Sequence, residues 1–269
     1  MILDYSSTQN EMSPEQAHYF SCVRPVETTR PGVHAIIPMK DLSQAKTRLA
    51  GRLSPAERRT LAIYMFHTVL RTLCSTLPAE SATPQDALAM PLQAVWVVSS
   101  DPLVLQMART AGAEPVQDTA GDLNEALALA RDAAQHDGAD ALLIVPADVP
   151  LITVQEITDL AHMLRATAAT DGNAAPRAIL VPDQEQQGTN ALGLTLPTTM
   201  PFLFGADSFV RHSEAAYRLG IALQVYSSST LALDVDTPDD LAQIWHISAS
   251  TQNTQRRTPD DNHRIRSSP

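Results

Sequence analysis

Five short apolar runs, most of them carrying β-branched residues, alternate along this chain with longer segments of helical periodicity. The runs cover residues 33–37, 94–99, 141–145, 178–181 and 221–226. A strand that is apolar at consecutive positions has no face to give to water, so such runs suit strands covered on both sides. The segments between them read as helices. In "SPAERRTLAIYMFHTVLRTL" Ser54 caps, Pro55 takes the first helical position and Glu57 completes a capping box. Leu61, Met65, Val69 and Leu73 then recur at i, i+4 spacing and make one buried stripe. Residues 101–111, 122–137 and 207–219 each begin at an aspartate and stop at a glycine (Gly112, Gly138 and Gly220), which are cap and stop signals. Residues 153–170 and 238–247 complete the set. This alternation predicts an α/β fold with a mostly parallel sheet and helices on both faces.

Both ends lack the pattern. Residues 1–30 are polar and aperiodic, and residues 248–269 hold too little apolar surface to offset the entropy of ordering them. The expectation is a single domain over residues 31–247 between a flexible N-terminal tail and a disordered C-terminal one. With 269 residues, 44% of them hydrophobic, the chain has ample material for a core. No apolar run reaches the roughly 20 residues of a membrane span, so no membrane partner is expected. The first residues include Asp4 and Glu11 and no continuous apolar segment, unlike a secretory signal. The two cysteines, Cys22 and Cys74, make neither a disulfide framework nor a zinc spacing, which points to a reducing cytoplasm. A formal net charge of -11 argues against nucleic acid, because binding phosphates along a duplex needs a broad basic face.

In a sheet of this kind ligands bind beyond the carboxyl ends of the strands, so the polar residues that follow each apolar run carry the functional information. Lys40, Lys46 and Arg48 follow the first run; Asp148, between Pro146 and Pro150, follows the third. Asp183 follows the fourth, with Gly188, Thr189 and Asn190 a few residues on, and "LALDVDTPDDL" places Asp234 and Asp236 two apart. Residues i and i+2 of an extended segment point to one side, so these two carboxylates converge while Val235 turns away. Convergent carboxylates are costly without a cation between them. Adding Asp148 gives three hard oxygen donors, the usual way of holding Mg²⁺ against substrate phosphates. The competing reading makes Asp236 a cap for the last helix, a role Thr237 fills equally well, and leaves Asp234 unexplained. A basic cluster beside such a site neutralises a triphosphate, and local field rather than net charge decides capture. No Ser-His-Asp or Cys-His arrangement is evident, and His212 reads as a helix residue bonded locally.

The segments "IPMKDLSQAKTRL", "LSPAERRTLA", "PADVPL", "PDQEQQGTNAL", "FGADSFVRHSEAA" and "LALDVDTPDDLA" occur in this order between residues 33 and 244. Together they resemble the 2-phospho-L-lactate guanylyltransferases of coenzyme F420 biosynthesis. The related enzymes of molybdenum cofactor assembly carry a glycine-rich loop after the first strand that this chain lacks; sugar-1-phosphate nucleotidyltransferases ordinarily show it as well. A non-catalytic nucleotide-binding protein would have no need of three converging carboxylates. The resemblance implies a nucleotide-diphospho-sugar transferase type of fold. It implies transfer of GMP from GTP to 2-phospho-L-lactate, phosphoenolpyruvate or 3-phospho-D-glycerate, with release of pyrophosphate. It would put Asp148, Asp234 and Asp236 on Mg²⁺ and Lys40, Lys46 and Arg48 on phosphates. Thr189, Asn190, Gly205 and Ser208 would bind the acceptor, and Asn124 would help hold the nucleotide. Gln186 stands where the family usually has glycine; its side chain is expected either to favour a hydroxyl-bearing acceptor such as 3-phospho-D-glycerate or to point to solvent and change nothing.

Overall fold

The computed structural model describes residues 29–165 and 176–243. Residues 1–28 and 248–269 of the predicted tails, and the ends of two predicted helices at 166–170 and 244–247, lie outside these. Arg30, placed in the N-terminal tail by its composition, is tied to the domain. Its backbone N–H donates to Asp137 O at 2.7 Å, and its guanidinium pairs with Asp137 and Glu114.

Seven strands form one sheet: β1 (Gly32–Pro38), β2 (Ala94–Ser99), β3 (Glu114–Gln117), β4 (Ala139–Ile144), β5 (Arg177–Pro182), β6 (Thr189–Thr195) and β7 (Ala222–Val225). Their spatial order is β3-β2-β1-β4-β6-β5-β7. The strands are parallel except β6, which runs antiparallel to both β4 and β5. The five runs read from sequence are β1, β2, β4, β5 and β7. β3 and β6 are additions. β3 is four residues long, half-buried and with Pro115 inside it, too short to leave a pattern. β6 carries Gly193 in its interior, a residue that ordinarily weakens a strand. Here packing demands it: a Cβ at Gly193 would stand 3.2 Å from Leu164 Cδ2 and 3.3 Å from Ile179 Cβ.

Helices cover both faces: α1 (Pro55–Cys74), α2 (Pro84–Ala89), α3 (Pro102–Thr110), α4 (Leu123–His136), α5 (Val154–Arg165) and α6 (Ser208–Leu219). A further helix begins at residue 238. The alternation of side chains along the strands divides the core in two. Val33, Ala35 and Ile37 of β1 pack with Phe66 of α1, Val104 of α3 and Leu160 of α5. Ile36 of β1 and Leu142 and Ile144 of β4 pack on the other side with Leu127 of α4 and Ala216 of α6. The Ser54–Glu57 capping box is formed, and Asp101 and Asp122 cap α3 and α4. Asp207 does not cap α6; it sits at φ +54° with no side-chain cap hydrogen bond. In the α1 stripe Met65, Val69 and Leu73 are buried, while Leu61 sits at its margin, where Phe66 and Leu70 widen the buried face instead.

Phe66 has 0% exposure at the centre of one core half, and Tyr64 on the same helix is 64% exposed. Phe66→Ala is expected to cost about 3–5 kcal/mol in denaturant unfolding, the range for emptying a buried aromatic site. Tyr64→Ala is expected to stay within about 0.5 kcal/mol of wild type.

Candidate active site

Because β6 alone is reversed, its first residues lie at the same sheet edge as the carboxyl ends of the other six strands. A cleft of about 720 Å³ opens there, among the segments that follow β1, β4 and β5, the start of β6 and the turn before α6. Asp148, Asp234 and Asp236 converge in it: one oxygen from each lies within 4.8 Å of the others. The backbone holds them so. Val235 N–H donates to Asp148 O at 3.1 Å, which ties the two segments together, and the Val235 side chain turns into the core. The turn that leads to Asp234 is anchored by Glu156 at the start of α5, which accepts from the hydroxyls of Ser228 and Thr230. Capping of the last helix falls to Thr237, paired with Asp240, so the Asp236 carboxylate is free for other partners.

Those partners are cations. Lys46 Nζ donates to Asp148 Oδ2 at 2.7 Å and to Asp236 Oδ1 at 2.8 Å, and Arg48 donates to Asp236 Oδ2 at 3.0 Å. Lys46 holds a left-handed backbone at φ +51° to bring its side chain in, and that side chain is 9% exposed. Burial alone would lower the Lys46 pKa; Asp148 and Asp236 outweigh it, and the net shift is upward. Burial would raise Asp236, and Lys46, Arg48 and Lys40 together hold it below the usual carboxylate range. Among the described residues no cation pairs with Asp234. Its burial, reinforced by the charge of Asp148, raises its pKa against the opposing hydrogen bond from Asn190.

At the other side of the cleft, the residues expected to meet the acceptor divide. Thr189, Gly205 and Ser208 line the cleft. Asn190 lines it too, but its amide donates to Leu231 O at 3.0 Å and to Asp234 Oδ1 at 3.2 Å, so it acts by holding a carboxylate. Asn124 does not present a free amide to a nucleotide: its Nδ2 donates to Phe204 O and its Oδ1 accepts from Phe204 N–H. It pins the segment that carries Gly205. For Gln186 the structure shows the solvent-facing arrangement. Gln186 occupies a left-handed turn at φ +57°, the reason glycine suits the position, and its exposed side chain is outside the cleft. Glu185 and Gln187 border the cleft instead.

Three residues shape the site in ways that their place in the sequence did not show. Asp183 closes the β5–β6 turn by accepting from the N–H groups of Gln187 and Gly188 at 2.8 Å each. A Cβ at Gly188 would stand 2.7 Å from Asp183 Oδ2, so that position has no room for a side chain. His212 is bonded to Thr189, and Glu156 braces the approach to Asp234. The place of Asp183 after an apolar run was one signal, and the T-x-x-E pattern at Thr153 and Glu156 left another, that of a capping box.

Comparison with known proteins gives the family and the type of fold. The family described as guanylyl transferase CofC like matches residues 33–256. The phosphoenolpyruvate guanylyltransferase of Chloroflexus aggregans is 39% identical over 207 residues, covering 77% of this chain and 94% of that protein. The phosphoenolpyruvate guanylyltransferase of Sphaerobacter thermophilus is 40% identical, covering 78% and 91%. The 3-phospho-D-glycerate guanylyltransferase of Colwellia psychrerythraea is 32% identical, covering 80% and 91%. Among solved structures, a nucleotidyl transferase from Methanothermobacter superposes with a TM-score of 0.56 at 14% identity, covering 82% of this chain and 99% of that one. A protein from Desulfovibrio desulfuricans described as a nucleotide-diphospho-sugar transferase superposes with a TM-score of 0.63 at 17% identity, covering 84% and 90%. The fold is of that type.

Lys46→Met would leave Asp148 and Asp236 without their shared counter-charge. In buffer containing a chelator its melting temperature is expected to fall by several degrees. Mg²⁺ should restore more of that loss in the variant than it adds to wild type. Calorimetry with and without Mg²⁺ checks this, and equal Mg²⁺ responses would show that Lys46 does not balance the carboxylates.

Proposed function

The chain belongs to the guanylyl transferase CofC-like family, and we propose that it moves GMP from GTP to the phosphate of a small three-carbon phosphoacid. The acceptors that fit this reading are phosphoenolpyruvate, 3-phospho-D-glycerate and 2-phospho-L-lactate, the product feeding coenzyme F420 biosynthesis. The observation that carries it is the cluster of Asp148, Asp234 and Asp236, bridged by Lys46, at the ligand edge of a nucleotidyltransferase sheet. Among the described residues no helix is long and apolar enough to cross a membrane. With so few cysteines, the reading places the reaction in the cytoplasm.

Three carboxylate donors suit a hard divalent cation, and Asp148, Asp234 and Asp236 would hold Mg²⁺. Bound there, Mg²⁺ would supply positive charge to the triphosphate and the departing pyrophosphate. The rest of the work belongs to the chain. An oxygen of the acceptor phosphate forms a bond to the α-phosphorus of GTP, and the bond from that phosphorus to the bridging oxygen of the β-phosphate breaks. Pyrophosphate leaves with the electron pair. The attacking oxygen is already anionic at pH 7, so no general base is required, in keeping with the absence of a nucleophile–base pair from this reading of the cleft. Lys46, with three N–H donors, turns from the carboxylates to phosphate oxygens, and Lys40 and Arg48 add charge at the cleft mouth. Thr189, Gly205 and Ser208 hold the acceptor, with the amino end of α6 favouring its negative charge. Asn190 keeps Asp234 aimed, and Asn124 keeps the Phe204–Gly205 segment in place.

Incubation with GTP, Mg²⁺ and each of the three acids is expected to release pyrophosphate, and a chelator is expected to stop it. Asp234→Asn should lower turnover at saturating Mg²⁺ by about 10²-fold or more, the scale of one lost electrostatic stabiliser. No pyrophosphate from any of the acids would overturn the reading, and near wild-type turnover in the Asn variant would remove Asp234 from the site.

A further inference from the structure

His212 on α6 is fully buried, and both of its ring nitrogens are engaged. Leu203 N–H donates to Nε2 at 2.9 Å. A backbone amide has a hydrogen and no lone pair to offer, so Nε2 must carry the lone pair. In the neutral ring the hydrogen then sits on Nδ1, which lies 3.1 Å from Thr189 Oγ1. Thr189 therefore accepts from His212, and the hydrogen of its own hydroxyl has to turn elsewhere. Among the described residues Thr189 Oγ1 has no second hydrogen-bond partner, and Thr189 lines the cleft beside Gly205 and Ser208. A charged ring would carry hydrogens on both nitrogens, one of them against Leu203 N–H. Burial first, then the neighbouring charge of Arg211, lowers the His212 pKa to about 4 against an opposing hydrogen bond from the ring to the Ser208 backbone, which a hydrogen on Nδ1 can share with Thr189. Phe204 packs edge-on against the ring with centroids 5.0 Å apart, which limits its rotation.

We propose that His212 is a positioning residue for acceptor recognition: it fixes Thr189 as a hydrogen-bond donor into the cleft, toward an anionic oxygen of the acceptor's phosphate or carboxylate. The identity of that anion rests on the guanylyltransferase reading; the direction of the hydrogen bond does not. The same ring holds Leu203, next to the Phe204 backbone that Asn124 clamps. One imidazole thus joins the start of β6 to the segment before α6, the two sides between which the acceptor would sit.

The inference is tested in two independent ways. Long-range ¹⁵N–¹H NMR of the ring is expected to show the Nδ1–H tautomer for His212; the Nε2–H tautomer would overturn the proposal whether or not the protein is active. In steady-state assays Thr189→Val and His212→Phe should each raise KM for the acceptor about tenfold or more, the scale of one lost hydrogen bond to a charged group. KM for GTP should move far less. The double variant should be little worse than the worse single one, because His212 acts through Thr189. His212→Asn, which keeps a donor near the Nδ1 position, and Thr189→Ser, which keeps the hydroxyl, should lose less than the apolar replacements. Additive effects, or equal changes in both KM values, would show that His212 serves only packing. Should the wild-type protein release no pyrophosphate with any acid, the functional reading fails. The tautomer, together with calorimetric binding of phosphoenolpyruvate to wild type and Thr189→Val, then decides the inference: equal binding overturns it.

Discussion

Three carboxylates whose oxygens meet within 4.8 Å cannot all stay charged unless positive charge stands among them. Much of the local structure at the ligand edge follows from that requirement. Lys46 adopts a left-handed backbone, uncommon for a residue with a side chain, and thereby bridges Asp148 and Asp236 with a nearly buried ammonium. Arg48 occupies the remaining oxygen of Asp236. Asp234, which forms no ion pair with these cations, accepts a hydrogen bond from Asn190 and is the acid whose proton affinity rises. A buried ion pair of this kind adds little net stability against an apolar alternative. Its presence fits a role in binding charge better than a role in holding the fold.

The sheet topology makes the arrangement possible. Parallel strands alone would bring carboxyl ends to the edge and leave the start of each strand at the far side. Reversing β6 delivers Thr189 and Asn190 to the same edge as Asp148 and Lys40. The close packing of Gly193 lets α5 lie against β6, and α5 in turn presents Glu156 to the Ser228–Thr230 turn. The segment carrying Asp234 and Asp236 is not a regular strand. It is held by one backbone hydrogen bond, from Val235 N–H to Asp148 O, and by that buried brace.

What was legible in the chain was what rests on periodicity and on charge. The apolar runs marked five of the seven strands, and the i, i+2 spacing of Asp234 and Asp236 correctly implied convergence with Val235 turned inward. The two remaining strands were hidden for different reasons: β3 is short and half-buried, and β6 hides its strand character behind a glycine that packing requires. Roles that depend on which backbone atom comes near were not legible. Asn124 and Asn190 both looked like ligand contacts, yet their amides are turned to protein partners. His212 gave no signal because its role depends on contacts with Thr189, 23 positions away, and with the Leu203 backbone. Gln186 looked informative because glycine is usual there, and what the structure shows at that position is a left-handed backbone with an exposed side chain.

The central claim is that an oxygen of the acceptor's phosphate becomes the bridge to the guanosine α-phosphorus. Phosphoenolpyruvate carrying ¹⁸O in its non-bridging phosphate oxygens, incubated with GTP, Mg²⁺ and the protein, tests this through isotope shifts in the ³¹P spectrum of the product. The expected result is ¹⁸O between the two phosphorus atoms of a guanosine diphosphate diester, with unlabelled pyrophosphate released. Formation of GDP, or ¹⁸O in the released pyrophosphate or in free phosphate, would contradict it.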